Sequence, residues 1–181
     1  MSEPTFLPLL NSIAVNETKG EILLKAWADA TNDEALEQVL RFVSIREGEH
    51  AWAFTKRMCE LGHAVCEETA FQFFKDFDEL VTYIRSDATD AEKVARTSRG
   101  GDGKDPFASF FNDTSIDPQT GGLLGRYIAE ERDSGRRLKA EYDRICAAAG
   151  ETPASELDEL KACVAGLQKE LADLKRVRSA A

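Results

Sequence analysis

The sequence predicts an all-α protein: an antiparallel four-helix bundle with an additional C-terminal helix of coiled-coil character. Three observations carry this. Apolar residues recur at helical spacing through most of the 181 residues. The breaks between these stretches carry helix-capping and helix-stopping residues. No stretch shows a comparably strong alternation of apolar and polar residues, the pattern of a half-buried strand.

The first helix, predicted over about Pro8 to Thr31, shows an apolar stripe of Leu10, Ile13, Ala14, Leu24 and Ala28. Thr31, Asn32 and Asp33 end it and cap the second helix. That helix is expected from Glu34 to Leu61, with Leu36, Leu40, Val43, Phe54, Met58 and Leu61 on one face and Gly62 as its stop. A third helix is expected from about Glu68, carrying Phe71, Phe73, Phe74, Phe77, Leu80, Val81 and Ile84. Thr89 and Glu92 have the spacing of a capping box, which predicts a short helix to about Arg96.

The glycine-rich stretch from Arg99 to Pro106 reads as a loop, and Phe107, Phe110 and Phe111 are expected to dock it on the body. Asp117 followed by Pro118 opens a fourth long helix, ending near Ala149 and Gly150. Its stripe is Leu124, Ile128, Leu138, Tyr142 and Ile145. Thr152 and Pro153 repeat the start signal for a last helix. There Leu157, Leu160, Val164, Leu167, Leu171 and Leu174 follow the heptad seam of a coiled coil. The chain therefore divides into a bundle over 1–150 and a heptad-patterned helix over 151–181. That helix either packs on the body or pairs with another subunit.

The formal net charge of -10 argues against nucleic acid or an anionic membrane surface as the main partner. No apolar run reaches the ~18 residues of a membrane span. The first five residues, from Met1 to Thr5, lack the basic and apolar parts of a signal peptide, so a cytoplasmic location is expected. Cys59, Cys66, Cys146 and Cys163 form no Cys-x-x-Cys pair and read as reduced thiols, Cys59 as a small core residue.

The acidic residues inside the stripes point to chemistry. At about 100° per residue, Glu47 and His50 fall in the middle of the second helix's apolar face, as a Glu-x-x-His step that could grip one ion. Glu17 and Glu21 occupy the same place on the first helix. Glu131 does so on the fourth, with Glu130 and Asp133 turned to the side. Uncompensated burial of these carboxylates would cost many kcal/mol, and the inner faces show no obvious Arg or Lys. A metal ion is the simplest compensation. Carboxylates with imidazole suit iron or manganese, with zinc as a third choice. The expected metal ligands are Glu17, Glu21, Glu47, His50 and Glu131.

These residues resemble the ferritin-like superfamily on its rubrerythrin side, most closely over residues 8–62. That family sets a di-metal site inside a four-helix bundle. One helix supplies a Glu and its partner a Glu-x-x-His, and the second pair of helices repeats this. The resemblance makes Glu17, Glu47 and His50 a first half-site. The second half departs from the pattern: Phe77 stands in the middle of the third helix's face, and Ser134, not His, follows Glu131 by three. A single-metal site, an asymmetric pair of ions and a site completed by another subunit all remain open.

Two functions follow as expectations. One is an iron-binding ferritin-like protein with oxidase, peroxidase or iron-handling activity, holding one or two ions. Tyr127 then stands as a core residue or as a donor of electrons or protons. The other is a degenerate scaffold that forms a homo-oligomer or binds a partner through its C-terminal helix. Zinc hydrolysis ranks third, because no separate general base can be named. Ser44 and Ser134 have only His50 and His63 as candidate activators, and His63 reads as an exposed or helix-capping residue.

Overall fold

The structure, a computed structural model, describes residues 4–74, 76–97 and 113–150. All regular elements among them are helical: α1 (Leu7–Ala30), α2 (Glu34–Glu60), a 3₁₀ turn (Glu67–Thr69), α3 (Phe77–Ile84), α4 (Asp90–Thr97) and α5 (Pro118–Ala148). The all-α expectation is met. The heptad segment over 151–181, the glycine-rich loop, Phe107, Phe110 and Phe111 lie outside the described residues.

The predicted caps operate at the helix ends. Asp33 accepts from the Leu36 amide at 2.9 Å and starts α2. Gly62 ends it at φ 84°, a conformation that glycine adopts without strain. Its amide reaches Cys59 O at 3.0 Å, and that of His63 reaches Met58 O at 2.9 Å, the two bonds of a Schellman stop. Thr89 and Glu92 exchange side-chain-to-amide bonds across the first turn of α4. Asp117 accepts from the amides of Gln119 and Thr120 at the head of α5.

α1 and α2 form an antiparallel hairpin. Asp29 meets Arg41 near the turn at 3.0 Å, and Glu17 meets His50 farther along. α5 runs antiparallel to α2. Asp33 binds Arg144 at one end, and Arg57 binds Asp117 and Thr120 at the other.

The third helix departs from expectation. The phenylalanine-rich stretch from Phe71 to Phe74 is not helical, and α3 begins only at Phe77. Two asparagines on α1 account for this. Asn11 donates to Cys66 O and accepts from the Cys66 amide, both at 2.8 Å. Asn16 donates to Phe71 O at 2.7 Å and accepts from the Phe73 amide at 3.0 Å. Each amide side chain satisfies a backbone donor and acceptor that a helix would otherwise use. Asp76, at φ 53°, then turns the chain into α3. An extended strap and two short helices therefore stand where the sequence predicts a longer third helix. Asp90, at the start of α4, accepts from Trp27 Nε1 at 2.7 Å and from Thr31 Oγ1 at 2.6 Å, tying α4 to the end of α1.

The core is split in two. One apolar cluster surrounds Trp27, with Leu36, Leu40, Val43, Ile84, Val94 and Cys146. The other surrounds Phe54, with Leu10, Ile13, Met58, Leu124 and Ile128. On α1, α2 and α5 alike, the stretch between the clusters carries the inward acids and His50. The polar layer thus sits at mid-height of the bundle, with apolar packing above and below. Cys59, expected in the core, is exposed.

Candidate metal centre

His50 is the hub of the polar layer. It is buried on α2, and carboxylates occupy both of its ring nitrogens. Nδ1 lies 3.1 Å from Glu17 Oε2 and 3.4 Å from Glu131 Oε1. Nε2 lies 2.8 Å from Glu130 Oε2. Tyr127 donates its hydroxyl to Glu17 Oε1 at 2.9 Å, and its ring meets the His50 ring edge-on with centroids 5.0 Å apart. Helix spacing explains the set. Tyr127, Glu130 and Glu131 share one side of α5 at i, i+3 and i+4, and Glu47 and His50 share one side of α2 at i and i+3.

Glu17, His50 and Glu131 each offer a ligand atom within 4.8 Å of the others. Among the described residues, Glu131 Oε1 is the buried side-chain oxygen or nitrogen that makes no hydrogen bond. Its contact with His50 Nδ1 at 3.4 Å is an ion pair only while that ring is protonated, and a buried acceptor left without a hydrogen bond costs about 1–3 kcal/mol. This orphaned oxygen points to an ion that the residues around it fit. A cation beside Nδ1 would take one oxygen each from Glu17 and Glu131. Glu130 would hold the remaining imidazole nitrogen, as a carboxylate commonly does behind a metal-binding histidine.

The protonation of the cluster is perturbed accordingly. Burial draws the His50 pKa down, but the carboxylates of Glu131, Glu17 and Glu130 outweigh it and push the value up to about 10. Burial holds Glu17 above the ordinary carboxylate range, against the opposing pull of its hydrogen bond from His50. Glu47 is raised well above that range by burial and by the charges of Glu17 and Glu131. Burial likewise raises the Tyr127 phenol, which stays protonated as a donor to Glu17. Glu130 is lowered, because hydrogen bonds from His50 and Arg126 outweigh its partial burial. Without an ion, protons hold this cluster together. A cation would take their place.

Glycines on the facing helix set the two remaining predicted acids. A Cβ added at Gly20 on α1 would come within 2.3 Å of Glu47 Oε2, so the Glu47 side chain lies directly on the Gly20 backbone. Gly48 on α2 takes Glu21 in the same way, at 2.9 Å from its carboxyl carbon. Glu47 is thereby held beside Glu17 and Glu131. Glu21 is held against Gly48 and does not join the trio of Glu17, His50 and Glu131.

Three features lay beyond the sequence reading. Glu130 was expected to point aside, yet its side chain reaches back to His50, whose second nitrogen needs an acceptor. Basic side chains are also present near the inner faces. Arg46 binds Asp133 at 3.1 Å, Ser134 at 3.0 Å and the Glu130 carbonyl at 3.0 Å. Arg57 is buried, but it is engaged by Asp117 and Thr120 at the far end of α5. Finally, a groove of about 370 Å³ between α2 and α5 reaches His50 and Tyr127 from outside. Trp52, Leu123 and Arg126 border it, and Trp52 is 78% exposed. Among the described residues, α3 and its entry add no acid to the cluster: Asp76, Asp78 and Glu79 are exposed. No described helix is long and apolar enough to cross a membrane. Comparisons with protein-family models, with curated proteins and with solved structures find no match for this chain.

Proposed function

We propose that this chain is a ferritin-like metalloprotein that binds iron in the polar layer of its helical body. Manganese and zinc are the alternative ions. The observation that carries the reading is the orphaned Glu131 Oε1, which faces His50 Nδ1 and Glu17 across a space that three ligand atoms surround. Oxygen donors with one imidazole are the donor set that suits iron or manganese. Glu17, Glu131 and His50 Nδ1 are the ligands, and Glu47, whose carboxyl feels the charges of Glu17 and Glu131, is a further carboxylate beside them. Bound iron would supply redox chemistry toward oxygen or peroxide, with oxidase, peroxidase or iron handling as the resulting activity.

The chain's own residues shape that chemistry. Glu130 fixes the His50 ring and its tautomer through Nε2. Tyr127 orients Glu17 and holds a proton beside it. The groove past Trp52 and Leu123 would admit a small molecule to His50 and Tyr127. The apolar clusters above and below cover Glu17 and His50, which are buried.

A scaffold function in oligomerisation or partner binding is the competing reading. It draws support from α3 and its entry, where the described residues place no ligand. Iron measured per chain after expression in iron-supplemented medium separates the two. The metalloprotein reading expects iron in stoichiometric amount, lost in both Glu131→Ala and His50→Ala. A wild-type chain that takes up no iron, manganese or zinc favours the scaffold.

A further inference from the structure

A second cavity, of about 380 Å³, lies at the end of the bundle where α1 turns into α2. Its walls come from Thr31 and Asn32 of that turn, from the α3–α4 connection, and from Lys93 of α4. We propose that this cavity binds a small oxyanion, a phosphate or carboxylate group, on Lys93 and Arg85 at the N-terminus of α4.

Lys93 is the main observation. It is only 2% exposed, and its ammonium, which makes no hydrogen bond or ion pair with any described residue, keeps a little open surface and is not fully enclosed. A lysine is seldom buried so far without a partner. The cavity that Lys93 borders is where an anion would meet it. Arg85 borders the same cavity, and its guanidinium also pairs with no described residue.

The head of α4 adds backbone donors. The capping box uses the amides of Thr89 and Glu92. The amides of Asp90 and Ala91 find no acceptor among the described residues. The first turn of a helix favours negative charge through such amides and through the helix dipole. Two acids also border the cavity. Asp90 is committed to Trp27 and Thr31 through both of its oxygens. Asp87 is exposed, which leaves Lys93 and Arg85 to set the sign of the ligand. A metal cation at the same place would have to lie beside both of these positive groups.

Equilibrium dialysis of the full chain against radiolabelled inorganic phosphate, with a chelator present to keep iron from binding phosphate, tests the site. The expected result is saturable binding of one phosphate per chain. Sulfate should displace it if the site reads tetrahedral oxyanions, and acetate if it reads carboxylates, while chloride at the same ionic strength should not. Lys93→Met and Arg85→Gln should each weaken binding roughly tenfold, the loss of one charge-assisted hydrogen bond. Arg85 is exposed, so Arg85→Gln decides the matter even if Lys93→Met fails to fold. Absence of saturable binding, displacement by chloride, or undiminished binding in Arg85→Gln would overturn the proposal.

Discussion

His50 Nε2 lies 2.8 Å from Glu130 Oε2, on the side of the ring opposite Glu17 and Glu131. One imidazole thus has a carboxylate behind it and two in front. If the two in front are metal ligands, the one behind orients the ring. Glu130→Gln keeps the side chain's size but weakens the acceptor. It is expected to lower metal affinity roughly 10- to 100-fold, the usual effect of losing such a support. Isothermal titration with ferrous iron or zinc under anaerobic conditions measures it. Glu130 is also near the surface, so the fold should be unaffected. An affinity equal to wild type would remove Glu130 from the site.

Gly20 and Gly48 separate two of the predicted ligands from each other. Gly20→Ala would drive a methyl group into the space held by the Glu47 carboxylate. The helix gains about 1 kcal/mol from alanine, and the displaced carboxylate costs about 1–3 kcal/mol. The net is a loss of about 0–2 kcal/mol, and metal affinity should fall. Gly48→Ala displaces Glu21 instead and should leave metal affinity as it was. Parallel metal titrations of the two variants check the contrast. Equal losses would place Glu21 with the ligands.

The pH dependence of stability has a definite sign in the metal-free protein. The folded pKa of His50, about 10, lies above its ordinary 6.5. Its contribution is fully present below pH 6.5 and is lost as pH rises through 10. Glu17 and Glu47 are raised as well, so theirs is present at low pH and is lost as pH rises through their folded values. The melting temperature of the metal-free chain should therefore fall on going from pH 6.5 toward pH 10. His50→Gln should flatten that slope. Saturating metal should also flatten it, because the ion replaces the protons. A metal-free melting temperature that is level or rises over this range would contradict the assignment of charge in the layer.

Asn16 holds the strap from Phe71 to Phe73 by two backbone bonds. Asn16→Ala leaves a carbonyl and an amide without these partners. The expected loss is roughly 2 kcal/mol in urea unfolding, given the cost of unsatisfied buried groups. An unchanged midpoint would mean that Asn11, Ser12 and Lys19 hold the strap without it.

The same strap explains where the sequence was misread. α1, α2 and α5 were legible because periodicity and capping chemistry agreed: Asp33, Gly62 and Asp117 each act at the end they mark. Phe71, Phe73, Phe74 and Phe77 looked equally periodic. What keeps their first half from forming a helix is Asn11 and Asn16, more than 50 residues away along the chain. No local pattern carries that information. Within the site, helical spacing turns Glu17, Glu21, Glu47, His50 and Glu131 inward, and the fold brings Glu17, His50 and Glu131 together, with Glu21 set against Gly48. Glu130 is not legible this way, because spacing gives the Cα direction and not the reach of a glutamate side chain.

The central claim is that an ion sits between His50 Nδ1, Glu17 and Glu131. Anomalous scattering from crystals grown with iron, recorded at the iron edge, locates such an ion directly. The account predicts one strong peak about 2.1 Å from His50 Nδ1, the usual metal–imidazole distance, with Glu17 and Glu131 oxygens around it and Glu130 still on Nε2. A second peak beside Glu47 would extend the site to two ions. No peak in the polar layer, or a peak bound through Nε2 in place of Glu130, would contradict it.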